Sequence, residues 1–491
     1  MKRITLAVCA ALTLAMLATA ATRTTQTMTQ AETYKIVVLS DIHLLAPSLH
    51  DDSKAAWQLA AADLKLALAS DTIMLRTTDW IIGQRPQLVL ITGDLTHNGA
   101  RASHDRLCAH LSRLKQAGIG VLVIPGNHDI NSPNARRYLG DKAVPTATIT
   151  REEFAQIYEP FGYGDNARRD PASLSYACEP LPGLVVLGID SNRDQENRLV
   201  ARGDSADVYH NAGRVNPLTL QWLQQQARDA RRQGKRVIAM MHHHLLEHID
   251  GEARFLPNYI VDGHEQVAQV LEQCGVHAVF TGHLHITDAV TDGAVTDIAT
   301  GSATMWPMPV RVGTIDLAHD SLRIDTQFAP MIDDERLLDA ARTQVEQGVP
   351  TVAQAIATRL WPRVKAKMDG LVAFFGSQGV TLPSLPADPA QATRLLTAHM
   401  SEPLTQSLLS VTRGGEDPAQ ASAIVDAVKQ GVRGVATDLF PAEMADEVGV
   451  LLLDNAMPRL EPMMRSALED RNRVDTPQES RTPDHRLSVA L

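Results

Sequence analysis

Six short apolar runs, five of them closed by a polar motif, constrain this chain more than any other feature. Lys35-Ile36-Val37-Val38-Leu39, Leu88-Val89-Leu90-Ile91, Val121-Leu122-Val123-Ile124, Leu184-Val185-Val186-Leu187, Arg236-Val237-Ile238-Ala239-Met240 and Ala278-Val279-Phe280 are short and rich in β-branched residues. They lack the polar alternation of a half-exposed strand, so they read as strands buried on both faces. Amphipathic helical patterns over 104–116, 218–233 and 266–274 lie between them, and further short strands are expected over 294–300, 310–317 and 322–325. A mixed sheet or two packed sheets fits this pattern. In open α/β sheets, ligands bind in the crevice where parallel strands end.

The motifs at those strand ends are Ser40-Asp41-Ile42-His43, Gly93-Asp94-Leu95-Thr96-His97-Asn98-Gly99, Gly126-Asn127-His128-Asp129, Met241-His242-His243 and Gly282-His283-Leu284-His285. Each alone is weak. Asp41 beside His43 is an ordinary loop pair, Asp94 an ordinary turn carboxylate, and an alternating His pair is more often structural than metallic. Their joint occurrence at strand ends, with oxygen and imidazole donors and no thiolate, makes chance improbable and points to two adjacent metal ions. The consecutive His242, His243 and His244 alternate in direction, so they cannot all face one ion.

Past residue 330 the pattern turns helical, over 334–347, 352–375, 391–411, 419–439 and 442–468, with breaks at Gly376, Pro383-Ser384-Leu385-Pro386 and Gly414-Gly415. Of the 18 histidines, only His319, His399 and His485 follow His285, so ligand chemistry belongs to the first part of the chain. The expected organisation is a signal peptide over 1–20, a catalytic domain over 34–328, an all-α bundle over 331–470 and a disordered tail over 471–491. The leader combines Lys2-Arg3, an apolar stretch over 4–17 and the small-residue site Ala18-Thr19-Ala20. It predicts export to the periplasm or medium with no membrane anchor after cleavage.

Cys108, Cys178 and Cys274 remain beyond the leader, allow one disulfide at most, and read as buried apolar residues. The formal charge of −11 argues against a nucleic-acid polymer as partner and leaves a small anionic substrate, whose charge metal ions would meet. The segment 192–214 and the run Gly301 to Pro309 are expected to flank the crevice, where Trp306 could stack on a base or serve as core.

The order Asp-x-His, Gly-Asp-x-x-x-Asn-Gly, Gly-Asn-His-Asp, His-His and Gly-His-x-His resembles the calcineurin-like metallophosphoesterases, over residues from Tyr34 to Asp325. The longer runs around Asp94, His128 and His242 are similar to those of exported bacterial cyclic-nucleotide phosphodiesterases with a helical C-terminal domain. The resemblance implies an α/β fold, a four-layer sandwich of two mixed β-sheets flanked by helices. It implies that Asp41, His43 and His285 hold one metal, that Asn127, His242 and His283 hold the other, and that Asp94 bridges them. His128 would assist the leaving group as the catalytic residue, with Asp129 stabilising the turn. Many relatives place a carboxylate where this chain has His97, which leaves the group orienting His128 open.

The implied cofactors are two divalent or trivalent ions, with Mn or Fe preferred and Zn admitted by the donors. The implied reaction is hydrolysis of a small phosphodiester, a cyclic nucleotide above all, through a metal-bound hydroxide. The alternatives are a phosphomonoesterase or nucleotidase on the same site, or an inactive metal-stabilised binding protein.

Overall fold

A computed structural model describes residues 33–197, 211–377, 379, 386–415, 417–440, 442–469 and 485–491. The expected signal peptide, most of the 192–214 loop and much of the tail lie outside the described residues. Fifteen strands are seen among those described: β1 (Thr33–Leu39), β2 (Leu88–Ile91), β3 (Gly120–Val123), β4 (Arg136–Arg137), β5 (Val144–Pro145), β6 (Ala167–Arg169), β7 (Tyr176–Leu181), β8 (Leu184–Ile189), β9 (Arg236–Met241), β10 (Ala278–Thr281), β11 (Asp288–Asp292), β12 (Val295–Ala299), β13 (Pro309–Asp316), β14 (Ser321–Phe328) and β15 (Arg486–Ala490). The helices used below are α1 (Lys54–Ala62), α2 (Ser70–Gln84), α3 (Arg101–Gln116), α4 (Arg151–Ile157), α5 (Pro217–Arg232), α6 (Glu252–Phe255), α7 (His264–Gln273), α8 (Glu335–Ser377), α9 (Pro389–Arg413), α10 (Pro418–Leu439) and α11 (Ala442–Leu468).

Two large mixed sheets form the frame. One has the order β15-β14-β13-β1-β2-β3 and the other β11-β12-β10-β9-β8-β7-β6, with β4 and β5 as a separate ribbon. The strands that end in motifs run parallel to their neighbours: β1 to β2, β2 to β3, and β8, β9, β10 and β12 in succession.

Strand periodicity sorts the apolar residues between layers. Leu184, Val186, Ile238 and Met240 face the first sheet and share a core with Val37, Leu90 and Val123. The intervening Val185, Leu187, Val237 and Ala239 turn the other way, onto Leu223, Ala227 and Leu271 of α5 and α7. The outer face of the first sheet is covered by α2 and α3 through residues such as Ile73, Met74, Leu107 and Leu111. Burial on both faces is why these runs carry no polar alternation. The layers are therefore helix, sheet, sheet, helix, as the resemblance implied.

Arg311 of β13 ties the two sheets together at their ends. It is fully buried, and its guanidinium donates to Thr326 Oγ1 at 2.8 Å, to Ala299 O at 2.6 Å and to Asp288 O at 3.0 Å.

Two expectations change in the C-terminal region. The two helices expected over 334–347 and 352–375 are one helix, α8, with Pro350 and Pro362 inside it. Proline removes one helical hydrogen bond, but Val345, Val349, Ala353 and Ala357 form a buried stripe at i, i+4 spacing across the exposed Pro350. Packing along that stripe outweighs the local break. The tail expected to be disordered ends in a strand: β15 pairs antiparallel with β14, and Val489 and Leu491 enter the main core. Its five residues, Arg486-Leu487-Ser488-Val489-Ala490, are too short to signal a strand without the edge they join. Among the described residues, no helix is long and apolar enough to cross a membrane. Cys108, Cys178 and Cys274 are free.

Candidate metal centre

The five motifs leave their strands through sharp turns. Asp41, His43, Asp94, Asn98, His283 and His285 all adopt positive φ, from 44° to 71°, a region that costs a non-glycine residue energy and is concentrated at functional sites. Backbone bonds hold these turns together: Asp41 N donates to Gly93 O at 3.1 Å, His43 N to Asp94 O at 2.9 Å and Gly282 N to His242 O at 3.0 Å. Gly126 is required by close approach, because a Cβ there would overlap Asp94 Oδ1. The carboxylate is in turn fixed by His128 N, which donates to Oδ1 at 2.9 Å.

The side chains converge in three overlapping sets. Asp41, His43 and His285 form one, His43, Asp94 and His128 a second, and Asp94, His242 and His283 a third, with the ligand atoms in each within 4.8 Å of one another. Asp94 Oδ2 lies 3.5 Å from His43 Nε2 and 3.4 Å from His242 Nε2, so this one carboxylate reaches both ends of the cluster. Asn127 Oδ1 lies 3.0 Å from His242 Nε2, on the same side as His283.

Two observations test whether metal ions fit here. Buried Asp41 Oδ1 has no hydrogen-bond partner, while His285 Nε2 lies 3.2 Å and His43 Nε2 3.7 Å from it. The two imidazole nitrogens are themselves 3.2 Å apart. Such a convergence of a carboxylate oxygen and two imidazole nitrogens is what a cation satisfies. Two of the ring atoms pointing away from the cluster are engaged: His242 Nδ1–H donates to Thr92 O at 2.9 Å and His283 Nε2–H to Asn258 O at 3.0 Å. Those bonds fix the tautomers that leave His242 Nε2 and His283 Nδ1 facing inward as ligands. The set is two carboxylates, an amide and four imidazoles, which suits first-row metals.

Burial pushes His43 down to about 3, with the Lys65 ammonium adding to the effect, and pushes His283 well down, so both rings stay neutral. His242 goes the opposite way, to about 9, because the Asp94 and Asp41 carboxylates outweigh its burial. A proton there and a cation between the same carboxylates answer the same excess of negative charge.

Asp129 does not point into the cluster. Its carboxylate clamps the second motif to the third by accepting from Leu95 N (3.0 Å), Thr96 N (2.9 Å), Thr96 Oγ1 (2.8 Å) and Gly126 N (2.8 Å). The consecutive histidines separate as strand geometry requires. His242 enters the cluster, His243 Nδ1 meets Ser191 Oγ at 2.8 Å, and His244 Nδ1 meets Glu252 Oε1 at 2.7 Å.

His128 is 27% exposed, the most open of the cluster. Its Nδ1–H donates to Asn98 Oδ1 at 2.6 Å, and its Nε2 stands 3.8 Å from Asp94 Oδ2. Asn98 thus orients His128, the role the His97 departure left open; it stood in the motif beside His97, where the amide gave no sign of direction. His97 instead backs Asn98, with His97 Nε2 3.3 Å from Asn98 Nδ2 and its Nδ1 3.8 Å from Asp63 Oδ2. No motif pointed to Asp63 or Lys65, whereas Ser302 and Thr304 lie in the run Gly301 to Pro309 expected to flank the crevice. The last two hold the first turn, Ser302 Oγ donating to Asp41 O at 2.7 Å and Thr304 Oγ1 to Ile42 O at 3.1 Å.

Trp306 lies elsewhere. It packs against Met305, Val345 and Leu409 and lines a cavity of about 430 Å³ with Arg342, Arg413 and His485, none of them a candidate ligand.

No curated protein matches the chain. Among solved structures, a dimetal phosphatase from Danio rerio is similar at 16% identity and a TM-score of 0.42, over 60% of this chain and 96% of that one. A purple acid phosphatase from yellow lupin (Lupinus luteus) seeds shows 12% identity and a TM-score of 0.40, over 61% of this chain and 52% of that one. The NAD nucleotidase of Haemophilus influenzae shows 11% identity and a TM-score of 0.30, over 60% and 49%. The model of the calcineurin-like phosphoesterases matches residues 34–287, the segment that carries all five motifs and β1 to β10 of the sandwich. The chain belongs to the calcineurin-like phosphoesterase family.

Proposed function

We propose that this protein is an exported dinuclear-metal phosphodiesterase acting on a small substrate, a cyclic nucleotide above all. The observation that carries the reading is Asp94, whose carboxylate belongs to two donor sets at once, in one of which a partly open imidazole, His128, stands beside it. In this reading Asp41, His43 and His285 hold one ion, Asn127, His242 and His283 the other, and Asp94 bridges them. Two ions so held would supply Lewis-acid stabilisation of a phosphoryl group and a nucleophile at neutral pH. Mn or Fe is the preferred pair.

The protein's own groups do the rest. His128 is the most open cluster imidazole, and its opposite edge is fixed. As the imidazolium it donates its Nε2 proton to the departing oxygen, while Asn98 Oδ1 keeps the Nδ1–H throughout and so holds the ring in one orientation. Burial lowers the pKa of His128 and the Asp94 carboxylate opposes that shift, so the proton is held loosely enough to be given up. Cyclic-nucleotide preference and export rest on the resemblance of the longer motif runs and on the leader.

Initial rates of the Mn-loaded mature chain on a cyclic nucleotide and on its linear monophosphate test the reading, with Asp94→Asn as control. The expected result is hydrolysis of the cyclic diester, with turnover and bound metal both nearly lost in the variant. Preference for the monophosphate would make the enzyme a nucleotidase. Full activity in metal-loaded Asp94→Asn would remove the bridging role.

A further inference from the structure

A cation stands beside the cluster that none of the five motifs supplies. Asp63, Leu64 and Lys65 lie between α1 and α2. Lys65 Nζ lies 2.9 Å from Asp63 Oδ1, and the lysine side chain is 14% exposed. Asp63 is linked through His97 and Asn98 to His128, so the ion pair sits behind the proton donor. The ammonium's field reaches His43, His97 and His128, and Asp63, Asp94 and Asp41 hold Lys65 charged against its burial.

A buried ammonium next to the place of two metal cations is unfavourable unless negative charge surrounds it. Asp63 is the one acidic group that pairs with it among the described residues, and it occupies one of three N–H donors. A phosphoryl group in the cleft would meet both needs, since its oxygens carry charge and accept hydrogen bonds. We propose that Lys65 is a phosphate-binding residue of this site, donating to a non-bridging oxygen of the substrate while Asp63 fixes its direction. This rests on the phosphoesterase reading above.

The geometry also gives the helical region a part in the site. Gln344 of α8 donates through Nε2 to Ala60 O at 2.5 Å and to Asp63 O. Leu64 packs with Val345 and Leu409 of α8 and α9, and Leu66 N donates to Thr304 O at 2.9 Å, the residue that holds the first motif. The C-terminal bundle therefore pins the segment that presents Lys65, and Gln344 is a positioning residue.

The test is calorimetric titration of the full-length, Mn-loaded protein with inorganic phosphate, comparing it with Lys65→Met, Lys65→Arg and Gln344→Ala. Metal content, melting temperature and steady-state kinetics are measured on the same samples. Loss of one charge-assisted hydrogen bond is expected to weaken phosphate binding by about tenfold in Lys65→Met, with a matching rise in KM. Metal content and melting temperature should stay at the unsubstituted values. Lys65→Arg should retain most of the affinity, and Gln344→Ala should fall between. Unchanged phosphate affinity in Lys65→Met overturns the proposal, as does weaker binding accompanied by loss of metal. If Lys65→Met does not fold, Gln344→Ala decides by the same criterion. Failure of the underlying reading looks different: the unsubstituted metal-loaded protein would bind no phosphate, and the proposal would fall with it.

Discussion

At the scale of single residues, the site depends on side chains whose neighbours give them direction. The His128 ring takes its direction from the 2.6 Å bond of its Nδ1–H to Asn98 Oδ1. Asn98→Ala is therefore expected to lower kcat by roughly tenfold to a hundredfold while leaving KM close to its original value. The variant should also lose the limb of the kcat–pH profile that reports the proton donor, and a kcat within twofold of the original would remove the orienting role. Asp94, His128 and the other histidines of the cluster were legible because each stands in a short motif at a strand end. Lys65 was not, since a lysine after an amphipathic stretch has the signature of a solvated face. Its position became meaningful only when Asp63, His97 and Asn98 were found between it and His128.

At the scale of elements, the strand ends decide what converges, and the next turns decide how rigidly. The chain leaving β9 is held by Asp297 of β12, which accepts from Leu245 N (2.6 Å), Leu246 N (2.9 Å) and Thr281 Oγ1 (2.6 Å). His248 closes the arrangement, with Nδ1 2.7 Å from Asp288 Oδ2 and Nε2 3.2 Å from Asp297 Oδ2, while Glu252 Oε2 accepts from its backbone N–H and the His244 ring lies 4.3 Å away. Asp297 and Asp288 overcome its burial and raise it to about 10, from an ordinary value near 6.5. A histidine whose folded value is raised contributes stability that is complete below the unfolded value and disappears as pH climbs through the folded one. Replacing His248 by Gln should thus lower the melting temperature most at pH 6, with the deficit shrinking steadily toward pH about 10. A deficit independent of pH would show that the imidazole's charge contributes nothing. Element length was less legible than element type: Pro350 predicted a break in α8 that the buried stripe from Val345 to Ala357 overrides.

At the scale of the whole molecule, the sandwich and the helical region are joined at several points. Gln344 bonds the segment after α1, Thr287 Oγ1 donates to Thr412 O at 2.9 Å, and Asp250 N donates to Ser466 Oγ at 2.8 Å. β15 completes the first sheet and buries Val489 and Leu491, each worth roughly 1.5–3 kcal/mol when fully withdrawn from water. Deleting residues 485–491 is expected to lower the melting temperature by several degrees and, by baring the edge of β14, to raise light scattering on heating. Identical melting curves for the two chains would mean that β15 adds nothing to the fold.

What the sequence determined by itself was local: which runs are buried on both faces, which end in oxygen and imidazole donors, and where the chain turns helical. Those follow from periodicity and residue chemistry within a few positions of each other. Tertiary structure alone decided the rest, because it depends on which distant segments meet. Asp94 could be matched to His43 and His242 in space only once β1, β2 and β9 had taken their places in facing sheets. The same packing brings Gln344 to the segment that carries Asp63 and Lys65, a contact across nearly three hundred residues that no local pattern encodes.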